Sequence, residues 1–332
     1  MGTRQTRAIA VLFACIGRRV SLLESFRKAA RSMRIQARLI GTDVSPLSPA
    51  WCLCDKAFLV SPVTCRDYVR QLLDIVAAHK VSLLVPTVDL DLAVLARNRS
   101  RFDALGCRVL VSDPRTIATC QDKRRTFRFL TRHGFDTPLT VDPSRMHTGP
   151  RAGRPAYPCV LKPWDGYAGR HNVVVRDRAE LAFFARRTPR ALCQSLVRGV
   201  EYTCDVYVDF KGTVRTVVPR RRIEVRSGEV SKAQVCKDLK IMTRVADLVR
   251  TLGAGPGVIT VQLILTCKGR IQIIEINPRF GGGAPLSIRA GADFPRWLLQ
   301  ETLGREPQIL FDGFQDGLIM LRYDSQVWLA PG

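Results

Sequence analysis

The sequence predicts an α/β protein: a parallel, doubly wound N-terminal domain, then an α+β region built on antiparallel strands. Three observations carry this expectation. Strand and helix signals alternate from residue 8 to 112, which is the rhythm of βαβ units. Beyond residue 159, short strands separated by turn residues dominate instead. Near the end, two apolar runs, 258–265 and 270–277, flank Cys267-Lys268-Gly269-Arg270 like the arms of a hairpin.

The first strand is expected over 9–16. Behind Arg4 and Arg7 this apolar run imitates a signal peptide, but Gly17-Arg18-Arg19 follows at once, as in a strand leading to a helix. Met1-Gly2 to Thr6 also fits a short myristoylation pattern, which carries little weight. Helical spacing covers 20–33, and a strand over 37–40 ends at Gly41-Thr42-Asp43. A helix over 68–79, a strand over 81–85 stopped by Pro86-Thr87, a helix over 92–102 and a strand over 108–111 complete the unit. Ligands of such sheets sit beyond the carboxyl ends of the strands. Gly17, Asp43, Pro86, Thr87 and Asp89 fall there; each also fits an ordinary turn or cap residue. The Gly17 turn lacks the full glycine pattern of a dinucleotide fingerprint, so no nicotinamide cofactor is expected.

Asp113-Pro114 opens a helical segment reaching His133-Gly134, and 137–158 reads as loop with one strand. Strands at 159–163 and 172–175 flank the loop Trp164 to His171, which contains Gly166 and Gly169. With Lys162 at its base, this hairpin has the makings of a flap over phosphates, though glycine hairpins beside a basic residue are common. A helix over 178–187, strands over 191–197, 201–209 and 214–218, and a helix over 238–251 follow. The expected units are 1–112, 113–190 and 191–332.

Composition narrows the partners. The 332 residues are 46% hydrophobic and 24% charged, as in soluble globular proteins, and no apolar run is long enough to span a membrane. A net charge of +23 favours anionic ligands or reflects arginine-rich composition. The charge is dispersed and aromatics make up 7%, so a nucleic-acid platform is not expected. The eleven cysteines lack a metal-site spacing and read as free thiols of a reducing cytoplasm.

The hairpin holds the chemistry. If Lys268 and Gly269 form its turn, Gln262 lies opposite Glu275 and Thr260 opposite Asn277, all on one face. A carboxylate, two amide oxygens and a hydroxyl suit a hard cation such as Mg²⁺. A hairpin with a merely wet outer face fits the same pattern. In Arg220-Arg221-Arg222-Ile223-Glu224, alternation puts Arg220, Arg222 and Glu224 on one face. With Arg226 and Lys232 they would grip an anion or form a solvated edge strand.

In this order, Lys123, the Lys162 flap, Gln194-Ser-Leu196-Val-Arg-Gly-Val-Glu201-Tyr-Thr-Cys-Asp205 and Glu275-Ile-Asn277-Pro-Arg279 with Gly281-Gly282-Gly283 resemble the ATP-grasp superfamily. The likeness is strongest to stand-alone relatives of the carbamoyl-phosphate synthase large-subunit synthetase module, and it covers nearly the whole chain. The resemblance implies two antiparallel sheets holding ATP. Lys123 and Lys162 would hold phosphates under Gly166 and Gly169. Gln194 and the backbone of Leu196 would face adenine, and Glu201 the ribose. Gln262, Glu275 and Asn277 would bind Mg²⁺ or Mn²⁺. Arg279 would contact the transferring phosphoryl group or the acyl phosphate, and Arg222 and Lys232 of the basic run above join it as catalytic candidates. The implied activity is ATP-dependent joining of a small carboxylate to an amine, in a possible homodimer. Gln194 and Gln262 stand where relatives more often carry acids. The absence of a second synthetase half makes carbamoyl phosphate an unexpected product. A basic nucleic-acid-binding or scaffold protein on a degenerate ATP-grasp fold is the alternative.

Overall fold

The computed structural model describes residues 8–147, 155–166, 171–226 and 228–329. The N-terminal sheet contains β1 (Ala8–Ala14), β2 (Gln36–Asp43), β3 (Lys56–Leu59), β4 (Leu83–Pro86) and β5 (Arg108–Val109), with α1 (Val20–Ser32), α2 (Tyr68–His79) and α3 (Leu92–Asp103) between them. Its order is β3-β2-β1-β4-β5, and every pairing is parallel. β1 is apolar throughout because both of its faces are covered. Val11 and Phe13 join one core cluster; Ala10, Leu12 and Ala14 join another. The chain order reverses between β1 and β4, which places a crevice at their carboxyl ends.

The segment expected to be one helix is two: α4 (Pro114–Cys120) and α5 (Lys123–Arg132). Asp122 divides them. Its carboxylate accepts the Arg124 and Arg125 backbone N–H groups and caps α5. A small antiparallel sheet follows, ordered β6-β9-β7-β8, from β6 (Thr140–Val141), β7 (Cys159–Pro163), β8 (Val173–Val175) and, after α6 (Arg178–Ala185), β9 (Ala191–Ser195). β9 pairs with β6 and β7, so the change between the two antiparallel sheets falls after Ser195 rather than at residue 190.

The larger sheet, β14-β13-β10-β11-β12-β15, contains β10 (Val200–Val208), β11 (Val214–Arg226), β12 (Glu229–Val235), β13 (Gly257–Leu265), β14 (Ile271–Asn277) and β15 (Ile319–Leu321). One face packs on α7 (Leu239–Leu252), whose Ile241, Met242, Val245 and Val249 are buried. β11 continues far beyond Val218 and lies between β10 and β12, which excludes an edge strand at Arg220–Glu224. α8 (Ala284–Arg289) and α9 (Phe294–Thr302) follow β14 and pack on α1. Phe26 of α1 meets Phe280 edge-to-face at 6.3 Å, bringing the N-terminal crevice against the segment after β14.

Candidate active site

β13 and β14 pair Gln262 with Glu275 and Thr260 with Asn277, as the hairpin pattern implies. The route to that register differs. The turn pairs Leu265 with Ile271, one residue away from a two-residue loop. Gly269, at φ +71°, closes a longer turn, and a bulge between Gln262 and Leu263 restores the pairing. Glu275, Gln262 and Asn277 are partly exposed. The Thr260 hydroxyl leaves this set: it is buried and donates to the Arg279 carbonyl at 2.9 Å. One carboxylate beside two amide oxygens fits Mg²⁺ completed by phosphates and water. Among the described residues no three His, Cys, Asp or Glu side chains cluster as a soft-metal site would require.

Two lysines converge on Glu275 from other elements. Lys123, at the start of α5, places Nζ 3.9 Å from Glu275 Oε1 and donates to the Gly166 carbonyl at 2.5 Å. Lys162 on β7 is 5% exposed, and its Nζ donates to Gln194 Oε1 at 2.6 Å. Burial, then Lys123, pulls the Lys162 pKa from 10.5 to about 8, while Glu275 opposes them. The Gln194 amide is fixed at both ends. Lys162 has only protons to give, so its partner is the oxygen. The Thr140 hydroxyl donates to Pro138, so it accepts Gln194 Nε2 at 2.9 Å.

Two further pairs line the large sheet. Arg222 Nη1 donates to Glu201 Oε1 at 2.5 Å, and Nη2 to the Gly228 carbonyl. Arg279 joins Asp89 of the N-terminal crevice through Nη2 and its neighbour's carbonyl through Nη1, while its buried Nε has no partner among the described residues.

Comparisons with known proteins bear on the fold. Residues 120–283 match the ATP-grasp domain, and 11–110 match the PylC-like N-terminal domain. Residues 120–283 form an ATP-grasp domain. Among curated proteins, the carbamoyl phosphate synthase large chain of Thermoplasma acidophilum is 23% identical over 258 residues, 72% of this chain and 24% of that protein. The chain thus spans about a quarter of the length of that relative. Among solved structures, the biotin carboxylase domain of Hydrogenobacter thermophilus 2-oxoglutarate carboxylase, determined with MgADP and bicarbonate, superposes with a TM-score of 0.74 at 16% identity. That likeness covers 93% of this chain and 73% of the other. The L-amino acid ligase of Bacillus licheniformis gives 0.68 at 18% identity, covering 89% and 74%.

On this ATP-grasp fold the expected residues separate into groups. Lys123, Lys162, Gly166, Gln194 and Glu275 gather where the small sheet meets β14, and Gln262 and Asn277 flank Glu275. The Gln194 amide oxygen assigned to adenine is taken by Lys162. Leu196 is 37% exposed on the link between β9 and β10. Gly169 lies outside the described residues. Arg220 is 1% exposed and grips buried Asp205 bidentately, at 2.8 and 3.0 Å, instead of facing a ligand. Lys232 and Arg226 both pair with Glu224, whose pKa those hydrogen bonds lower to about 2. Neither cation stands free for an anion. Asp43 accepts the Gly17 and Val44 backbone N–H groups, so its turn role prevails. Arg19 was not named from the sequence as a site residue, although it stands in the Gly17-Arg18-Arg19 turn just past β1 at the switch point.

Proposed function

We propose that the protein is an ATP- and Mg²⁺-dependent carboxylate–amine ligase. The observation that carries this is the meeting of Lys123, Lys162 and Glu275 from three separate elements, beside Gln262 and Asn277 in register. Lys123 and Lys162 hold phosphate oxygens of ATP. Glu201, ordered by Arg222, takes the ribose hydroxyls, and the backbone at Leu196 takes the base. Gln262, Glu275 and Asn277 hold the metal, which supplies charge neutralisation on the transferring phosphoryl group. Mn²⁺ accepts the same oxygen set.

The reaction then needs positioning rather than a protein nucleophile. A substrate carboxylate oxygen bonds the γ-phosphorus as the bond to ADP breaks, giving an acyl phosphate. The amine nitrogen bonds the acyl carbon, the carbon–oxygen bond to phosphate breaks, and the departing phosphate takes an N–H proton. Arg279 stabilises the charge on the acyl phosphate. Lys232, paired with Glu224, has no contact with the reacting groups in this reading.

The test is ADP release from ATP and Mg²⁺ with a panel of carboxylic acids and hydroxylamine as a general amine. Activity is expected with a subset of acids and is lost in the Glu275→Gln, Asn277→Ala double variant. Unchanged metal-dependent ATP binding in that variant would sink the site assignment. Salt-sensitive nucleic-acid binding without ADP release from any acid would favour the basic scaffold instead.

A further inference from the structure

Around Arg279, charges from two parts of the chain alternate in sign. Arg19 donates to the Thr87 carbonyl at 3.1 Å, and Asp89, two residues on, carries the carboxylate that holds Arg279. The Asp89 loop is itself pinned, because Gln121 Nε2 donates to its carbonyl at 2.6 Å. Gly282 passes between Arg19 and Glu229: a Cβ there would lie 3.1 Å from Arg19 Nη1 and 3.3 Å from the Glu229 carboxyl. Glu229 also pairs with Arg322 at 2.9 Å. Burial, then Arg279, lowers the Arg19 pKa, while Glu229 and Asp89 oppose the shift.

In this arrangement Asp89 makes the contact with Arg279 that a substrate carboxylate would make. An acid that takes the same Nη2 of Arg279 displaces it. A simple carboxylate on Arg279 would set Asp89, whose side chain is 25% exposed, beside a second anion. A substrate that also carries an ammonium group exchanges one ion pair for two.

We propose that the acid activated at this site is an amino acid, its carboxylate between Arg19 and Arg279 and its ammonium on Asp89. The proposal rests on the ligase reading and names the substrate class of that site. Asp89 is then a specificity-determining residue contributed by the N-terminal domain.

The experiment is hydroxamate formation by the full chain with ATP, Mg²⁺ and hydroxylamine. Each proteinogenic L-amino acid is compared with the carboxylic acid of the same skeleton lacking the amino group. At least one amino acid is expected to show a KM lower by about tenfold or more than its counterpart. Asp89→Asn, whose shape is conserved, should erase that preference, and Asp89→Glu should keep part of it. Thermal melts verify that both variants fold. Equal KM values for the paired acids in the parent protein, or a preference that survives Asp89→Asn, overturn the proposal and leave the ligase reading standing. Failure of every acid to yield hydroxamate or ADP, on a protein that melts cooperatively, removes the ligase reading and this proposal with it.

Discussion

The Lys162–Gln194 contact makes nucleotide affinity depend on pH in a window that a single substitution should move. Lys162 is buried and accompanied by Lys123, and its hydrogen-bond acceptor is neutral. Its pKa of about 8 means that the ammonium is mostly charged at pH 7 and mostly neutral at pH 9. A phosphate prefers the charged form. Affinity for a non-hydrolysable ATP analogue with Mg²⁺ should therefore fall by about tenfold between those values. Gln194→Glu places a carboxylate at the same 2.6 Å contact. An adjacent opposite charge raises the Lys162 pKa by about 1–3 units, which flattens the profile across the same range. Calorimetric titration at several pH values measures both slopes. A flat parent profile, or identical slopes in the two proteins, refutes the reasoning.

Stability carries the opposite sign. The folded-state pKa of Lys162 lies below its ordinary 10.5. Between about 8 and 10.5 the unfolded chain keeps a proton that the folded chain has lost. This group therefore makes the nucleotide-free protein more stable as pH rises through that window, by an amount on the order of 3 kcal/mol. Saturating nucleotide should shrink the effect, because bound phosphates keep Lys162 charged in the folded state.

Asp205→Ala leaves Arg220 charged and buried without its partner. It should cost about 3–5 kcal/mol in urea unfolding, against much less for the exposed Glu306→Ala at the Lys211 pair. Gly283→Ala puts a methyl group against Arg220 Nη1 and should lower the melting temperature through the same network. Arg222→Ala frees Glu201 and should weaken ATP-analogue binding by about tenfold, with no change in the pH slope set by Lys162. Light scattering across a dilution series would read directly whether the chain forms a homodimer.

Much of the site was legible because strand geometry carries information over short distances. Gln262 and Glu275 are thirteen positions apart, and alternation on a hairpin is enough to place them on one face. Even there, the turn and the bulge each departed from the simple pattern and their departures cancelled. Gln194 shows the limit at the next level. Its position on a strand was foreseeable, but the orientation of its amide is set by Thr140, Pro138 and Lys162, which meet only when β6, β9 and β7 pair. Sequence spacing alone cannot say whether an amide oxygen faces a base or a lysine.

The Asp89–Arg279 pair lies further out of reach, at a separation of 190 positions. Singly, each residue has an ordinary explanation, one as a turn residue after a strand and the other as part of a phosphate motif. Their meeting depends on how the N-terminal sheet docks, through Phe13, Phe26 and Phe280, onto the segment after β14. That docking is apolar and says nothing about charge, yet it decides which carboxylate faces the arginine. The proposed phosphate and metal contacts come mostly from strands of the two antiparallel sheets, with Lys123 added from α5. The proposed acid site lies between domains, where Arg19 and Asp89 come from turns that no periodicity marks. Strand spacing therefore suggests where ATP would be held, while the candidate acid contacts emerge only from the packed molecule.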